Sequence, residues 1–367
     1  MNKILLIGNS GYKHQINDGQ TVKIRMYLQK IKDEGFEVQF IDLEDFSYHI
    51  FSILRSIKKG IKECDRIVLL SAERGSKILI PFINHYNKKK KKIFVLPLIG
   101  IGVLHSIVDR LNDDEKVNFM STKDYSHYKK NLFLSNQLKK IDFILPETEL
   151  IGNVYTNYFG LDNVHVLNNF RETKIPNVSN YKPGNVLRTI YISRIWREKG
   201  IFDLLAVVNA INRENNSILL DIYGPKESID VDNMLFDSIV DKSDGISYFG
   251  SIKENEVIDI ISSYDLLVFP TRYFGEGTPG IISESLMAGT PILTSDFLQA
   301  RYLLNDGFDS IFFKMMDKND LKRKLSFLVD NRDLLLSMRK NALESGKKFS
   351  YETSRSTFLK FVCGVSI

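Results

Sequence analysis

Two carboxylates, Glu276 and Glu284, stand with seven residues between them in GEGTPGIISESLMAGTP (275–291), on either side of a Gly-rich bend. Acids at such a spacing can act as a general acid and base, as two metal ligands, or as two arms that bind hydroxyls. No His or Cys stands near either Glu at ligand spacing, so the metal reading has no support. Thr278 followed by Pro279 forms an N-cap and first-turn pair, and Gly289 suits a left-handed residue after a helix. The spacing predicts a helix of about ten residues between them. Glu276 then lies in the loop before the helix. Glu284 lies in its second turn, four residues after Gly280, and leans back toward the start. Free N–H groups at a helix start favour an anion. Carboxylates beside that anion would repel it, so they are aimed at neutral groups that flank it, and hydroxyls fit.

A second constellation is SRIWREKG (193–200). Arg194 leaves the carboxyl end of a strand, and Lys199 precedes the first turn of the next helix. An Arg or a Lys in a loop is usually just solvated. Two cations on the same rim as a helix terminus make a seat for a diphosphate. A two-carboxylate hydrolase has no diphosphate to hold, which sets that class aside. A dehydrogenase would place Gly-x-Gly-x-x-Gly after the first strand, and IGNSGYKH does not supply it.

These residues need elements that carry them to one rim. Short apolar runs alternate with helical patterns, as in a parallel α/β architecture. The first half reads as strands near KILLIG, EVQFID, RIVLLS, KIFVLPL, FILPET and VHVLNN, with a helix in QTVKIRMYLQKIKDEG that Gly35 stops. Periodicity lapses over FRETKIPNVSNYKPGN (170–185), where Pro, Asn and Gly gather, and a linker is expected there. Strands then resume in LRTIYISR, ILLDIYG, ISYFG, YDLLVFP and PILTSD. After the first of these, Ile201, Leu204, Leu205, Val208 and Ile211 recur at helical spacing and read as core. The 367 residues suit two domains. The expected architecture is two doubly wound α/β domains facing across a cleft, residues 1–175 and 186–345, with a C-terminal helix over 346–367 returning to the first. Ligands of such sheets sit beyond the carboxyl ends of the strands.

The formal charge of +5 is unevenly spread: residues 1–180 hold 27 Lys and Arg against 20 Asp and Glu, and the remainder 23 against 25. A basic N-terminal half implies a polyanionic partner. Its densest piece is the run Lys88 to Lys92, directly before an apolar strand. Contact with anionic lipid headgroups is one reading, at about 1 kcal/mol per lysine; a solvated turn is the other. Nucleic acid is disfavoured, because no aromatic residues interleave the run. MNKILLIGNS reads as a first strand rather than a signal peptide, and no stretch is apolar enough to span a bilayer. Two cysteines, Cys64 and Cys363, point to a reducing compartment rather than a disulfide scaffold.

In order and spacing over residues 187–300, SRIWREKGI, LDIYG, SSYDLLVFPT and the Glu-x7-Glu of EGTPGIISE, followed by SLMAGTPIL, resemble a family 4 glycosyltransferase of the GT-B fold. Near the start, NDGQTVKIRMYL resembles the Gly-bearing loop and helix of members that build bacterial capsular or O-antigen polysaccharides. The resemblance implies a retaining transferase that moves a sugar from a nucleoside diphosphate sugar to a hydroxyl of a lipid-linked saccharide. It would work at the cytoplasmic face, without metal or other cofactor. The implied catalytic residues are Arg194 and Lys199, holding the departing diphosphate, and Glu276, on hydroxyls of the donor sugar. Glu284 would bind the ribose hydroxyls, and the backbone at Gly280 and Ile281 would approach the phosphates. Ser251, Ile252 and Lys253 would meet the base, Gly224 belongs to the same donor set, and Gly19 would give close backbone access. Gly100, Gly102 and His105 occupy the stretch where relatives carry a Gly-Gly-Trp-like pattern before the acceptor. This chain has Gly-Ile-Gly and no tryptophan there, and a structural role for His105 is an equal reading. A nucleotide-sugar epimerase of the same fold and a non-catalytic sugar-nucleotide-binding subunit remain as alternatives; the intact Glu276, Glu284, Arg194 and Lys199 speak against the second.

Overall fold

The computed structural model describes residues 3–14, 18–129, 131–172, 184–226 and 229–365. The chain divides into two compact units, Met1–Asn169 with Glu352–Ile367, and Phe170–Tyr351. Most of the expected linker, residues 173–183, lies outside the described residues.

In the first unit, five parallel strands, β1 (Lys3–Gly8), β2 (Glu37–Asp42), β3 (Arg66–Leu70), β4 (Ile93–Pro97) and β5 (Phe143–Leu145), form one sheet in the order β2-β1-β3-β4-β5. Ile4, Leu5, Leu6 and Ile7 are all fully buried, as expected of a central strand covered on both faces. The helix Gly19–Asp33 follows β1. Asp18 caps it by accepting from the N–H groups of Gln20 and Thr21, the Thr21 hydroxyl accepts from the Asp18 N–H, and Gly35 leaves it at φ +83°. The expected sixth strand, VHVLNN, is not a strand. Val164 makes a single bridge to Ile144, and the N–H groups of His165 and Leu167 bond the carbonyls of Ile144 and Pro146 at 2.9 Å. β5 is only three residues long and offers too little edge for a ladder.

The C-terminal segment is fastened within this unit. Arg355 grips Glu34 through two bonds of 2.6 Å, Arg66 Nη1 donates to the Phe361 carbonyl at 2.5 Å, and Phe358 meets Tyr27 edge to face at 5.2 Å. Among the described residues no helix is long and apolar enough to cross a membrane.

The second unit holds six parallel strands: β6 (Leu187–Ile192), β7 (Ile218–Tyr223), β8 (Ile246–Tyr248), β9 (Leu266–Phe269), β10 (Ile292–Ser295) and β11 (Ser310–Phe313), in the order β11-β10-β9-β6-β7-β8. β11 lengthens the sheet beyond the strands read from sequence. Ile201, Leu204, Leu205, Val208 and Ile211 of the helix Ile201–Asn215 are buried in its core. The chain builds outward from β6 to β8, then returns to the other side of β6 with β9. That reversal leaves a crevice past the carboxyl ends of β6 and β9, where doubly wound sheets take their ligands.

Both cysteines lie in the first unit and are buried, which pushes the Cys64 thiol up to about 11 and the Cys363 thiol up to about 12. Thiolate is the reactive form, so at about pH 8 the native protein is expected to leave both unlabelled by a disulfide reagent, with two thiols titrating in denaturant. Rapid labelling of either in the native state contradicts this packing.

Candidate active site at the strand reversal

The reversal brings two loops together. After β6 the chain runs through Arg194 and Trp196 into a single 3₁₀ turn, Arg197–Lys199, that Gly200 ends at φ +73°. After β9 it runs through Pro270 and Thr271 toward Glu276. A Cβ on Gly200 would stand 1.8 Å from the Pro270 carbonyl oxygen, so only glycine permits this approach. The Arg272 N–H donates to the Glu198 carbonyl at 2.7 Å and ties the loops further.

This contact delivers Lys199 to Glu276. The two form an ion pair with side chains only 11% and 8% exposed. The Thr271 hydroxyl donates to the same Glu276 oxygen at 2.8 Å, and Gln299 Nε2 donates to the Glu276 carbonyl at 2.8 Å. The Lys199 ammonium lies 5.1 Å over the Tyr273 ring, Tyr273 packs on Trp196 at 5.7 Å, and the exposed Arg194 lies 5.3 Å over Trp196. Trp196 therefore links the two cationic residues through its ring and that of Tyr273, which are tilted by 51° to one another.

The helix after Glu276 is Gly280–Met287, with Pro279 at its N-cap position and no side-chain cap bond. This corrects the expectation of a Thr278 cap with Pro279 as first helical residue, and of a length near ten. Pro279 has ψ 126°, outside the helical range, so the helix begins one residue later and has 8 residues. Gly289 does take the left-handed conformation, φ +70°. Gly280 and Ile281 supply the first N–H groups of the helix, which have no carbonyl ahead of them within it. Glu284 leans back as expected, and there meets Arg171, whose Nε donates to its Oε1 at 2.9 Å. Arg171 escaped the sequence reading. It opens an aperiodic polar segment, and no local spacing connects it to position 284.

The other expected donor residues flank this site. Gly224, φ +134°, ends β7 where a Cβ would stand 1.9 Å from the Ser193 carbonyl oxygen. Its N–H donates to Gly250 and its carbonyl accepts from the Tyr248 hydroxyl, both at 2.8 Å. Ser251 and Lys253 follow Gly250 in the open and Ile252 is half-buried, beside an exposed Phe249 stacked on Tyr223 at 5.1 Å and 17°.

The remaining expected residues belong to the first unit. Gly19 is the exposed first residue of its helix, with no atom within 4 Å of a would-be Cβ. Gly102, φ +58°, has a packing reason: a Cβ there would lie 2.5 Å from the Tyr155 hydroxyl, which accepts from the Val103 N–H and donates to the Ile101 carbonyl. Gly100 takes φ +57°, and His105 is half-buried at the start of the short helix His105–Val108. Among the described residues no cluster of three or more His, Cys, Asp or Glu could hold a metal ion.

Residues 173–345 match the family model for glycosyl transferases group 1. An N,N'-diacetylbacillosaminyl-diphospho-undecaprenol alpha-1,3-N-acetylgalactosaminyltransferase from Campylobacter jejuni is 24% identical over 118 residues, 32% of this chain and 30% of the relative. An uncharacterized glycosyltransferase of Methanocaldococcus jannaschii is 22% identical over 224 residues, 58% of this chain and 55% of the relative. The matches thus span no more than about half of either relative. Among solved structures, Anabaena Alr3699/HepE in complex with UDP and glucose superposes with TM-score 0.71 at 11% identity over 100% of both chains. The apo lipopolysaccharide outer core galactosyltransferase WaaB does so with TM-score 0.65 at 14% identity, over 98% of this chain and 99% of that one. These likenesses establish the GT-B fold.

Gly200 and Gly250 have nearly the same φ, +73° and +74°, but a Cβ on Gly250 meets nothing within 4 Å. Gly250→Ala is expected to cost about 1 kcal/mol of stability from the left-handed backbone alone. Gly200→Ala should cost at least about 2 kcal/mol more, since the Pro270 carbonyl has to move as well. Chemical denaturation of the two variants measures the difference, and equal losses would show that the loops are not held in contact.

Proposed function

We propose that this chain, whose residues 173–345 belong to the group 1 glycosyl transferases and which has the GT-B fold throughout, transfers a sugar from a nucleoside diphosphate sugar to a hydroxyl of a lipid-linked saccharide, with retention at the anomeric carbon. The observation that carries it is the pairing of each carboxylate with a cation at the strand reversal, beside a helix N-terminus. Such a site matches a donor that is itself part anion and part polyol.

In this reading the diphosphate draws Lys199 and Arg194. Lys199 then shares its charge between phosphate and Glu276, and Glu276 accepts from hydroxyls of the donor sugar. Glu284 accepts from the ribose, and the N–H groups of Gly280 and Ile281 face the phosphates. As the glycosidic bond breaks, charge grows on the departing diphosphate, and the fixed cations stabilise it without reorganising. No step needs a metal. UDP stands in the structure of the Anabaena protein, which supports a uridine donor. The name of the Campylobacter relative specifies a sugar on undecaprenyl diphosphate, which supports an acceptor of that class.

The first unit has a surface suited to such an acceptor's membrane. In the helix Ile50–Glu63, Phe51, Arg55, Lys58 and Lys62 fall at helical spacing on one face, all exposed, Phe51 at 85%. Lys58 lies 4.7 Å over Tyr86, near the end of the helix Glu73–Asn87, and the exposed Lys88 to Lys91 follow at once. Asn87 staples this turn through two bonds to the backbone of Lys92. None of Arg55, Lys58, Lys62 or Lys88 to Lys91 forms an ion pair among the described residues. Unpaired cations with an aromatic residue at one end suit an anionic lipid interface.

Arg194→Ala is expected to lower acceptor-dependent release of nucleoside diphosphate roughly a hundredfold. Chelator should leave the parent unchanged, and an epimerase would instead yield a second sugar nucleotide with no acceptor present. Near-parent turnover in folded Arg194→Ala, or loss on chelation restored by one metal, defeats the reading. Replacing Lys88 to Lys92 with Gln should weaken sedimentation with phosphatidylglycerol vesicles. Binding by the parent should fall steeply with salt, since screening acts over about 8 Å at physiological ionic strength. Equal sedimentation of variant and parent leaves the run a solvated turn.

A further inference from the structure

We propose that Arg171 is a positioning residue of the donor site, acting through Glu284; the proposal rests on the donor reading above. Three observations lead to it. First, the backbone of Arg171 is pinned on both sides. Its N–H donates to the Phe349 carbonyl at 2.7 Å, its carbonyl accepts from the Tyr351 N–H at 3.1 Å, and it bridges Ser350 in parallel. The side chain is therefore launched from a fixed point. Second, the side chain is only 6% exposed, with Nε on Glu284 Oε1 at 2.9 Å and Nη1 on the Phe170 carbonyl at 3.0 Å. Third, Nη2 occupies the space a Cβ would need at position 280, 1.8 Å from that point. The glycine at the head of the helix is the space in which the guanidinium lies.

The placement runs against simple helix electrostatics. The first turn carries partial positive charge, so a guanidinium beside Gly280 is disfavoured unless an anion offsets it. Glu284, one turn further on, is that anion. A buried ion pair adds little net stability, because desolvating both charges opposes their attraction. It does set geometry. With Oε1 held by Arg171, Glu284 is confined to one orientation, and Oε2 is presented to a ligand. The pair is neutral in sum, so it does not repel a diphosphate arriving at the helix N-terminus as an unpaired Glu284 would. Arg171 thereby turns a carboxylate that would oppose the anionic part of the donor into one that accepts only from its ribose.

The test is a double-mutant cycle read by calorimetry, using whichever of UDP, GDP, ADP and dTDP the parent binds tightest. Arg171→Gln is expected to weaken binding roughly tenfold to hundredfold, the worth of an interaction with a charged group. In turnover the loss should appear in KM for the donor, with kcat little changed. If Arg171 acts through Glu284, then Arg171→Gln made on top of Glu284→Gln should weaken binding no further. A purely structural role would give losses that multiply, as would a role independent of Glu284, and either overturns the proposal. Should Arg171→Gln lack a cooperative thermal transition, Arg171→Lys takes its place in the same cycle. A parent that binds no nucleotide removes the donor reading and this proposal together. A parent that binds, with Arg171→Gln indistinguishable from it, removes this proposal alone.

Discussion

A carboxylate drawn out of water at the rim of a parallel sheet needs a cation in contact with it, and the second unit is arranged around that need. Glu276 has Lys199 and the Thr271 hydroxyl; Glu284 has Arg171. The cations come from two different places, the loop after β6 and the segment that opens the unit. Removing one member of such a pair leaves an uncompensated buried charge, at a cost of about 3–5 kcal/mol. Neutral pairs of this kind are also suited to exchange. A polyanion can draw on the cations while hydroxyls satisfy the acids, so an incoming ligand of mixed character need not leave any charge unmet.

The Lys199–Glu276 pair depends on backbones that come unusually close. Gly200 against the Pro270 carbonyl and Gly224 against the Ser193 carbonyl bring the loops after β6, β7 and β9 nearer than any side chain would allow. Both approaches lie beyond the carboxyl ends of strands, and the first spans the point where the strand order reverses. Sheet topology creates the crevice, and the glycines let its walls meet. Gly102 shows that a glycine with positive φ need not mark a site, since the Tyr155 hydroxyl accounts for it fully.

The two units divide the electrostatics between them. Several acids and bases in the second are paired with their side chains largely out of water, as in Arg332 with Asp265 and Lys199 with Glu276. The first unit keeps a stripe of unmatched cations on its surface, continued by the stapled lysine turn. Exposed lysines gain little from surface partners, so leaving them unpaired costs the fold almost nothing and keeps their charge available.

Local pattern determined a good deal by itself. Short apolar runs marked ten of the eleven strands. Interior strands such as β1 and β9 are buried on both faces and have to be apolar whatever their neighbours are, while the edge strands β2 and β8 are only partly covered. Gly289 and Gly35 marked helix ends, because only glycine enters the left-handed region freely. The spacing of Glu276, Glu284, Arg194 and Lys199 revealed a shared rim. VHVLNN failed as a strand because strand character depends on the edge it meets, and β5 offers three residues. The helix start moved by a residue because Pro279 permits helix or extended backbone equally well by sequence. Partner choice was decided by tertiary structure alone. That Lys199 sits on Glu276, and that Arg171, far away in the chain, sits on Glu284 above Gly280, follows from where the strand reversal and the entry of the chain set their backbones. Ion pairing depends on distance in space, and no periodicity along the chain encodes a distance between segments that meet only after folding.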